Sequence, residues 1–188
     1  PHVVAGRVRR GRSRRACRGV PGTFDAPGFV DGHGAAARFD APYDITLMAD
    51  GALAVADHSN HRIRRITLAG DVTTIAGSGA AGLVDGPALG AAFARPQGLA
   101  AAPDGSLYIT DRDNFRVRRL RAGIVDTIAG DGMPGSLDAA DPLLGRIYGL
   151  EGVDLDPVAN KLYVTDGDRG DEQLEHHRIR VLDLSVVP

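Results

Sequence analysis

The stretch that decides the fold is "DHSNHRIRRITLAGDVTTIAG", residues 57–77, because most of it occurs twice in the chain. It returns as "DRDNFRVRRLRAGIVDTIAG" at residues 111–130, with Asp57 matched by Asp111 54 positions later. A third and less regular copy places Asp166 55 positions beyond Asp111. A unit that recurs at this period indicates a repeat architecture, in which each unit folds as one supersecondary element against the next.

Each copy has the pattern of four short strands. The apolar runs "DITLMA", "ALAVAD", "RIRRITL" and "VTTIA" are rich in Val, Ile, Thr and Leu, and turn signals such as Asp-Gly separate them. No stretch of ten residues shows the apolar stripe of a helix. The pattern therefore predicts an all-β fold, a β-propeller of four-stranded antiparallel blades. We expect about three blades, near residues 39–77, 93–130 and 147–187, within a propeller region that covers residues 24–188.

The repeated motif also resembles a known family. "DHSNHRIRRI" at residues 57–66 and "DRDNFRVRRL" at residues 111–120 resemble the NHL repeat, and "HHRIRVLDL" at residues 176–184 keeps the strand but lacks the Asn. The resemblance implies a β-propeller of a kind that usually binds proteins, RNA or other ligands. It also implies an alternative, since a minority of related propellers are hydrolases or lyases with metal ligands in the central channel.

The glycines after each motif invite a second interpretation. Gly77, Gly79 and Gly82 have the spacing of a dinucleotide-binding turn, which requires a helix after the third glycine. The following residues, "LVDGPALG", include Pro87 and would break such a helix, and the same spacing recurs at residues 130–135. The glycines are therefore predicted to be structural, and no cofactor is expected.

The Asp-x-x-Asn-x-Arg motif is predicted to form the turn between the second and third strands of a blade. In this interpretation the Asp carboxylate accepts hydrogen bonds from turn amides, and the Asn adopts a positive φ. Arg62 and Arg116 cover neighbouring strands with their stems and keep their charged ends in water. The segments "RRI" and "RRL", residues 64–66 and 118–120, are expected to lie on the exposed face of the third strand.

Strand direction places these turns and the glycine-rich linkers between blades on one common face. Loops on a rigid scaffold are where recognition usually occurs, so this face is the predicted binding surface for a protein or a small ligand. No catalytic residue is assigned, and we favour a non-enzymatic binding scaffold or sensor module over a propeller lyase or lactonase with a metal in its channel. The turn residues assigned to the binding surface are Asp57, His58, Asn60, Arg62, Asp111, Asp113, Asn114, Arg116, Asp166, His177 and Arg178.

Two groups of side chains raise the question of a metal. The inserted loop of the third copy carries four acidic residues that form a weak calcium candidate: Asp166, Asp168, Asp171 and Glu172. The loop departs from the EF-hand template, in which Gly follows the fifth position, so a solvated acidic loop is the preferred interpretation. Four histidines lie in equivalent turns and could converge on zinc: His58, His61, His176 and His177. The second copy has Arg112 and Phe115 at the first two of these positions, which favours histidines on the rim.

The amino-terminal region differs from the repeats. Residues 1–6 contain "HVVAG", which resembles a fourth strand and is assigned to a preceding or closing blade. Residues 7–23 are assigned to an Arg-rich insertion that we expect to be disordered, with seven Arg at residues 7–18 among the 22 Lys and Arg of the chain. Nucleic-acid binding is disfavoured because this segment has no aromatic residue for base stacking. Cys17 is the single cysteine, so no intrachain disulfide is expected.

Length limits the number of blades. At about 54 residues per unit, the 188 residues supply about three blades, whereas closed propellers typically have about four to eight. A fragment of a longer propeller is the preferred explanation, and the alternatives are two chains that close a six-bladed ring or an unusual closed form. No apolar run approaches the roughly 20 residues of a membrane span. No signal peptide is visible either; the sequence leaves the compartment open, and an extracytoplasmic location is the one we favour.

Overall fold

The computed structural model describes residue 22 and residues 26–167 and 178–187, and these residues form three antiparallel β-sheets in chain order. Each sheet is one blade, so the predicted all-β propeller architecture and the number of blades are confirmed. The assignments made for residues 1–6 and for most of residues 7–23 lie outside the described residues.

Blade one has the strand order β1-β5-β4-β3-β2, blade two has the order β6-β10-β9-β8-β7, and blade three has the order β11-β12-β13. The strands of blade one are β1 (Gly32–His33), β2 (Pro42–Leu47), β3 (Leu53–Asp57), β4 (Arg62–Ile66) and β5 (Asp71–Ala76). Those of blade two are β6 (Gly86–Pro87), β7 (Pro96–Ala101), β8 (Leu107–Asp111), β9 (Arg116–Arg121) and β10 (Ile124–Ala129). Those described in blade three are β11 (Val153–Asp156), β12 (Lys161–Asp166) and β13 (Arg178–Asp183).

Two of the linkers between strands of successive repeats add a strand that the sequence pattern did not predict. We define linker one as residues 28–39, linker two as residues 82–93 and linker three as residues 135–147. Linkers one and two each contribute a short fifth strand, because β1 pairs with β5 and β6 pairs with β10. The linkers therefore begin and end near the β3–β4 and β8–β9 turns, but their middle residues run along the outer edge of the blade. The prediction that whole linkers lie on one face was wrong in this respect.

The hydrophobic core lies between the blades. Ile63, Phe93 and Ile109 are fully buried in the cluster between blades one and two, and Ile128 and Leu162 are fully buried between blades two and three. Small residues allow close approach of the inner strands: a Cβ on Gly98 of β7 would lie 2.6 Å from the Glu151 carbonyl oxygen. Within the described ranges no helix has the length and apolar character needed to cross a bilayer.

The glycines of the repeated "AG-x-G" segment have a structural role. Gly77 follows β5 with φ of +97°, and the chain continues into linker two rather than into a helix. A Cβ on Gly77 would lie 2.5 Å from the His61 carbonyl oxygen, so a larger residue cannot fit without movement of the turn. The dinucleotide interpretation lacks its helix, as the sequence predicted.

Candidate binding surface

The motif turns are single turns of 3₁₀ helix. His58–Asn60 joins β3 to β4, and Arg112–Asn114 joins β8 to β9, as the sequence predicted. The positive φ does not fall on the asparagines, however: it falls on the next residue, with φ of 54° at His61 and 52° at Phe115. The prediction for Asn was wrong because the turn uses the hydrogen bonds of the Asn side chain and not a positive φ at the Asn backbone.

In blade one the motif side chains hold linker one against the blade. Asp57 accepts a 2.9 Å hydrogen bond from Asn60 Nδ2 and a 2.7 Å bond from Arg64 Nη1. Asn60 Nδ2 also donates to the carbonyl oxygen of Gly28, where the linker begins, at 2.8 Å. The other Asp57 oxygen accepts from the backbone N–H of Asp40 at 2.8 Å, just beyond the end of the linker. The carboxylate thus bonds the backbone just after the linker and two side chains rather than the turn amides, which corrects the prediction.

Blade two repeats the arrangement almost atom for atom. Asp111 accepts from Asn114 Nδ2 and from Arg118 Nη1, both at 2.7 Å, and from the backbone N–H of Ala94 at 2.7 Å. Asn114 Nδ2 donates to the carbonyl oxygen of Gly82 at 2.8 Å. We call each set of Asp, Asn and Arg a clamp, because it fixes both ends of a linker to one blade.

The clamp arginines contradict the prediction of an exposed third strand. Arg64 and Arg118 are fully buried, since each lies under its folded linker and donates to linker carbonyl oxygens. Arg64 also lies 4.9 Å from the ring centre of Phe39. The next residues, Arg65 and Arg119, point to the other face of the strand, where they are partly exposed and pair with Asp50 and Asp126. Strand alternation therefore places two adjacent arginines on opposite faces of the strand, one fully buried and one partly exposed.

Three linker aspartates complete the clamps and were missed by the sequence reasoning. The carboxylate of Asp31 accepts from Arg64 at 2.6 Å, and that of Asp85 accepts from Arg118 at 2.5 Å. Each also holds the fourth strand: Asp31 accepts from the N–H and hydroxyl of Thr74, and Asp85 makes the same two contacts with Thr127. The signal was present in the sequence, because an Asp recurs at this position of every linker, including Asp138.

Blade three has an incomplete version of the clamp. Asp166 is fully buried and accepts from Arg180 Nη1 at 3.0 Å and from the backbone N–H of Tyr148 at 2.9 Å. Arg180 also pairs with Asp138 at 2.6 Å. Asp166 is therefore committed to a structural pair, which weakens its assignment to a calcium site.

The first arginine of each motif is also more enclosed than predicted. Arg62 donates to the Ser78 carbonyl oxygen at 2.7 Å, and its guanidinium lies 3.7 Å from the ring centre of Phe29. Arg116 donates to the carbonyl oxygens of Gly130 and Asp131 at 2.6 and 2.8 Å. The charged ends bond the chain that leaves the fourth strand, and both arginines remain partly exposed.

Burial shifts the pKa of several groups on this surface. It raises the pKa of Asp111 to about 6, against the opposing effects of the bonds from Asn114, the Ala94 N–H and Arg118. Burial also lowers the pKa of His58 and of His61, and the positive charge of Arg95 adds to both effects. Neutral histidines suit this position, since the backbone N–H of Arg95 lies 3.1 Å from the His61 Nδ1 atom.

The remaining predicted residues lie at the margin of the surface. His58 stacks on Tyr43 with ring centres 5.6 Å apart, and Asp113 pairs with Arg95 and Arg112. The exposed Arg178 donates to the Ser136 hydroxyl at 3.2 Å. Among residues 26–167 and 178–187, no three His, Cys, Asp or Glu side chains converge as metal ligands would. Five residues that the sequence suggested for metal binding or for the binding surface lie outside the described residues: Asp168, Asp171, Glu172, His176 and His177.

Comparison with known proteins agrees with this geometry. Residues 93–120 match the NHL repeat family. The chain is 35% identical over 91 residues to the Arabidopsis thaliana Protein SUPPRESSOR OF QUENCHING 1, chloroplastic, a match that covers 48% of this chain and 9% of that protein.

Solved structures share the fold at lower identity. An auxiliary nutrient binding protein from Bacteroides thetaiotaomicron is similar with a TM-score of 0.59 at 21% identity, over 70% of this chain and 36% of that one. A gluconolactonase from Xanthomonas campestris is similar with a TM-score of 0.59 at 16% identity, over 93% of this chain and 58% of that one. The chain spans less than two thirds of each of these proteins. The repeated motif, the blade geometry and the match at residues 93–120 together show that the chain contains an NHL repeat within a set of β-propeller blades.

Proposed function

We propose that this chain is a non-enzymatic binding scaffold that recognises another protein through its turns and linkers. The observation that carries the proposal is a row of apolar side chains on clamped backbone. Three residues occupy the same position of the three linkers: Val30, Val84 and Leu137. They are 43%, 51% and 46% exposed, and the carbonyl oxygen of each accepts a 2.9 Å hydrogen bond from the clamp arginine of its blade. We call these three residues the linker row.

The linker row has the properties of a recognition surface. A single exposed apolar residue means little, but the row repeats one per blade and has exposed apolar neighbours in Phe29 and Leu83. Because the clamps fix the backbone beneath it, little conformational entropy is lost when a partner binds. The charged residues Arg95, Arg112 and Asp113 lie near the turns and supply the polar rim that protein interfaces usually have.

Site-specific photo-crosslinking tests the proposal. A photo-crosslinking amino acid is placed at Val84 and, in a matched control, at Val158, which is 95% exposed in the turn between β11 and β12. We expect a defined partner to crosslink at Val84 and not at Val158. Binding of that purified partner is then measured by calorimetry for Val84→Asp, Leu137→Asp and Val158→Asp.

The linker-row variants should each weaken binding by at least about tenfold, since each places a charge in an apolar contact, and Val158→Asp should bind as wild type does. Equal binding by Val84→Asp and Val158→Asp would contradict the proposal. Stoichiometric Ca²⁺ or Zn²⁺ that stays with the purified protein through dialysis would instead support the lyase or lactonase alternative.

A further inference from the structure

Five polar side chains meet between blades one and two, on the face that carries the motif turns. His58 begins the β3–β4 turn and His61 ends it, Arg95 directly precedes β7, and Arg112 and Asp113 belong to the β8–β9 turn. We call these five residues the turn cluster. Both blades that contribute to it are sheets of five hydrogen-bonded strands. The cluster therefore lies at a junction between two blades and not at an outer edge of the described blades.

The repeat itself does not require these side chains. At the junction between blades two and three, 54 positions later, Phe115 takes the place of His61 and Gly149 takes the place of Arg95. Phe115 stacks there on Tyr148, with ring centres 6.0 Å apart. The clamp residues recur in both blades, whereas the turn cluster does not. The cluster is therefore not a structural element that every junction shares.

Arg95 has a backbone conformation that arginine rarely adopts. Its φ is 56°, in the left-handed region that Gly favours, and Ala41 has φ of 47° at the same position of blade one. The conformation thus belongs to the repeat, but a long charged side chain is not the least strained choice for it. The Arg95 side chain is also 54% exposed. A strained residue with an exposed charge points to binding rather than to stability.

The charges of the turn cluster do not balance. One carboxylate, that of Asp113, lies 3.5 Å from the Arg95 guanidinium and 3.3 Å from that of Arg112. By comparison, the buried clamp pair of Arg64 and Asp57 is 2.7 Å long. Asp113 thus lies between two guanidinium groups, and one positive charge has no counter-charge within the cluster. Each guanidinium carries five N–H donors in a planar fork, which suits a second carboxylate.

The two histidines are held as neutral donors. The Nδ1 atom of His61 accepts from the backbone N–H of Arg95, so the proton of the neutral ring is on Nε2. The Nδ1 atom of His58 is buried without a hydrogen-bond partner among the described residues, so protonation there would bury an unpaired donor. The positive charges of Arg95 and Arg112 add to the effect of burial in lowering the pKa of His58. Near neutral pH the cluster therefore combines histidine and arginine N–H donors with one uncompensated positive charge.

We propose that the turn cluster binds a carboxylate group, carried by an acidic side chain or by the C-terminus of a polypeptide. One carboxylate matches the single uncompensated charge, whereas a phosphate group carries a charge of about −1.5 to −2 and would be repelled by Asp113. Asp113 itself shows that a carboxylate fits between the two guanidinium groups. The inference adds a ligand group to the binding surface but does not rest on the linker row, since the two sets share no residue.

Titration of the 188-residue chain with small acids tests the proposal. One probe is acetyl-Glu-amide, which presents a side-chain carboxylate, and the other is acetyl-Ala, which presents a terminal carboxylate. Acetyl-Gln-amide is the neutral control, and inorganic phosphate tests the choice of anion. Binding is followed by NMR through the histidine ring protons at constant pH and ionic strength, with signals assigned from His58→Gln and His61→Gln.

We expect the signals of His58 and His61 to shift saturably with at least one of the two carboxylates, and the better probe identifies the source of the group. The neutral amide should cause no saturable shift, and phosphate should bind at least about tenfold more weakly than the better carboxylate. The signal of His33, which lies in linker one, is the internal reference and should not shift.

Protein variants distinguish this site from general attraction of anions. Arg95→Gln should weaken carboxylate binding at least about tenfold because it removes a charged donor. Arg121→Gln, which removes the same charge at the exposed end of β9, should leave binding unchanged. Asp113→Asn should strengthen binding about two- to fivefold, because it removes the carboxylate that competes for the same donors.

Four results would overturn the proposal. They are an absence of saturable shifts with both carboxylates, binding of phosphate as tight as that of the better carboxylate, equal binding by Arg95→Gln and Arg121→Gln, and weaker binding by Asp113→Asn than by wild type. None of these results changes what is expected of crosslinking at Val84. Failure of this site and failure of the linker row can therefore be told apart.

Discussion

Replacement of Arg118 by Met gives the sharpest test of the clamp. Arg118 and Asp111 are both fully buried, and the guanidinium also donates to Asp85 and to the carbonyl oxygens of Val84 and Ala92. Removal of one partner from a buried ion pair costs about 3–5 kcal/mol, because the other charge remains buried without compensation. Arg119→Met is the matched control, since Arg119 is the adjacent residue of β9 and its pair with Asp126 is partly exposed. Such a pair contributes about 0–1 kcal/mol.

The free energy of unfolding is measured by urea denaturation and far-ultraviolet circular dichroism, because the chain has no Trp. We expect Arg118→Met to lose at least about 2 kcal/mol more than Arg119→Met. The double variant Asp111→Asn/Arg118→Met should lose less than Arg118→Met alone, because it removes the unpaired charge. If Arg118→Met does not fold, the double variant can still be measured, because it lacks the unpaired buried charge.

The same variant has a defined pH dependence. The pKa of Asp111 is raised from 3.8 to about 6, so at intermediate pH the folded state holds a proton that the unfolded chain has released. Stability from this group is therefore lost as the pH rises from about 4 through 6. Arg118 is one of the groups that lower this pKa. Without Arg118 the pKa of Asp111 rises further, so the loss of stability continues to higher pH. The difference in free energy of unfolding between wild type and Arg118→Met should therefore increase from pH 6 to pH 8. A difference that is constant with pH and under about 1 kcal/mol would refute the reasoning.

Three further predictions concern the turns. Gly130→Ala should destabilise the fold by about 1–3 kcal/mol more than Gly105→Ala, measured by urea denaturation, because both glycines have positive φ but only Gly130 is crowded by backbone. Asn114→Ala should cost about 1–3 kcal/mol, since it loses both bonds that tie the linker to Asp111, and an unchanged urea midpoint would contradict this role. The pKa of His58 is lowered by burial, so its contribution to stability is present above the ordinary histidine value and is lost as the pH falls below it. Wild type should therefore lose more stability than His58→Gln between pH 7 and pH 5, and parallel curves would contradict the assignment.

The repeat period and the short β-branched runs determined the architecture from the sequence alone. Strand pairing within one blade is local, and so β2 to β5 lie where the alternation of apolar runs and turn signals placed them. The glycine-rich segments were also interpreted correctly as structural, because Pro87 rules out the helix that a nucleotide site requires. The position of the motif turns between the second and third strands follows from the same local pattern.

Tertiary structure decides the burial and the partners of the side chains in the polar motif. Whether Arg64 is exposed or buried depends on linker one, which folds back over it from more than 25 residues away and supplies Asp31 as its second partner. Whether the arginine is buried, and which acid it pairs with, therefore depends on the packed linker and not on the strand pattern. The sequence pattern alone predicted that Arg64 faces solvent. Only the folded linkers reveal that the motif is a clamp, since a buried guanidinium needs several acceptors that no single stretch of this chain contains.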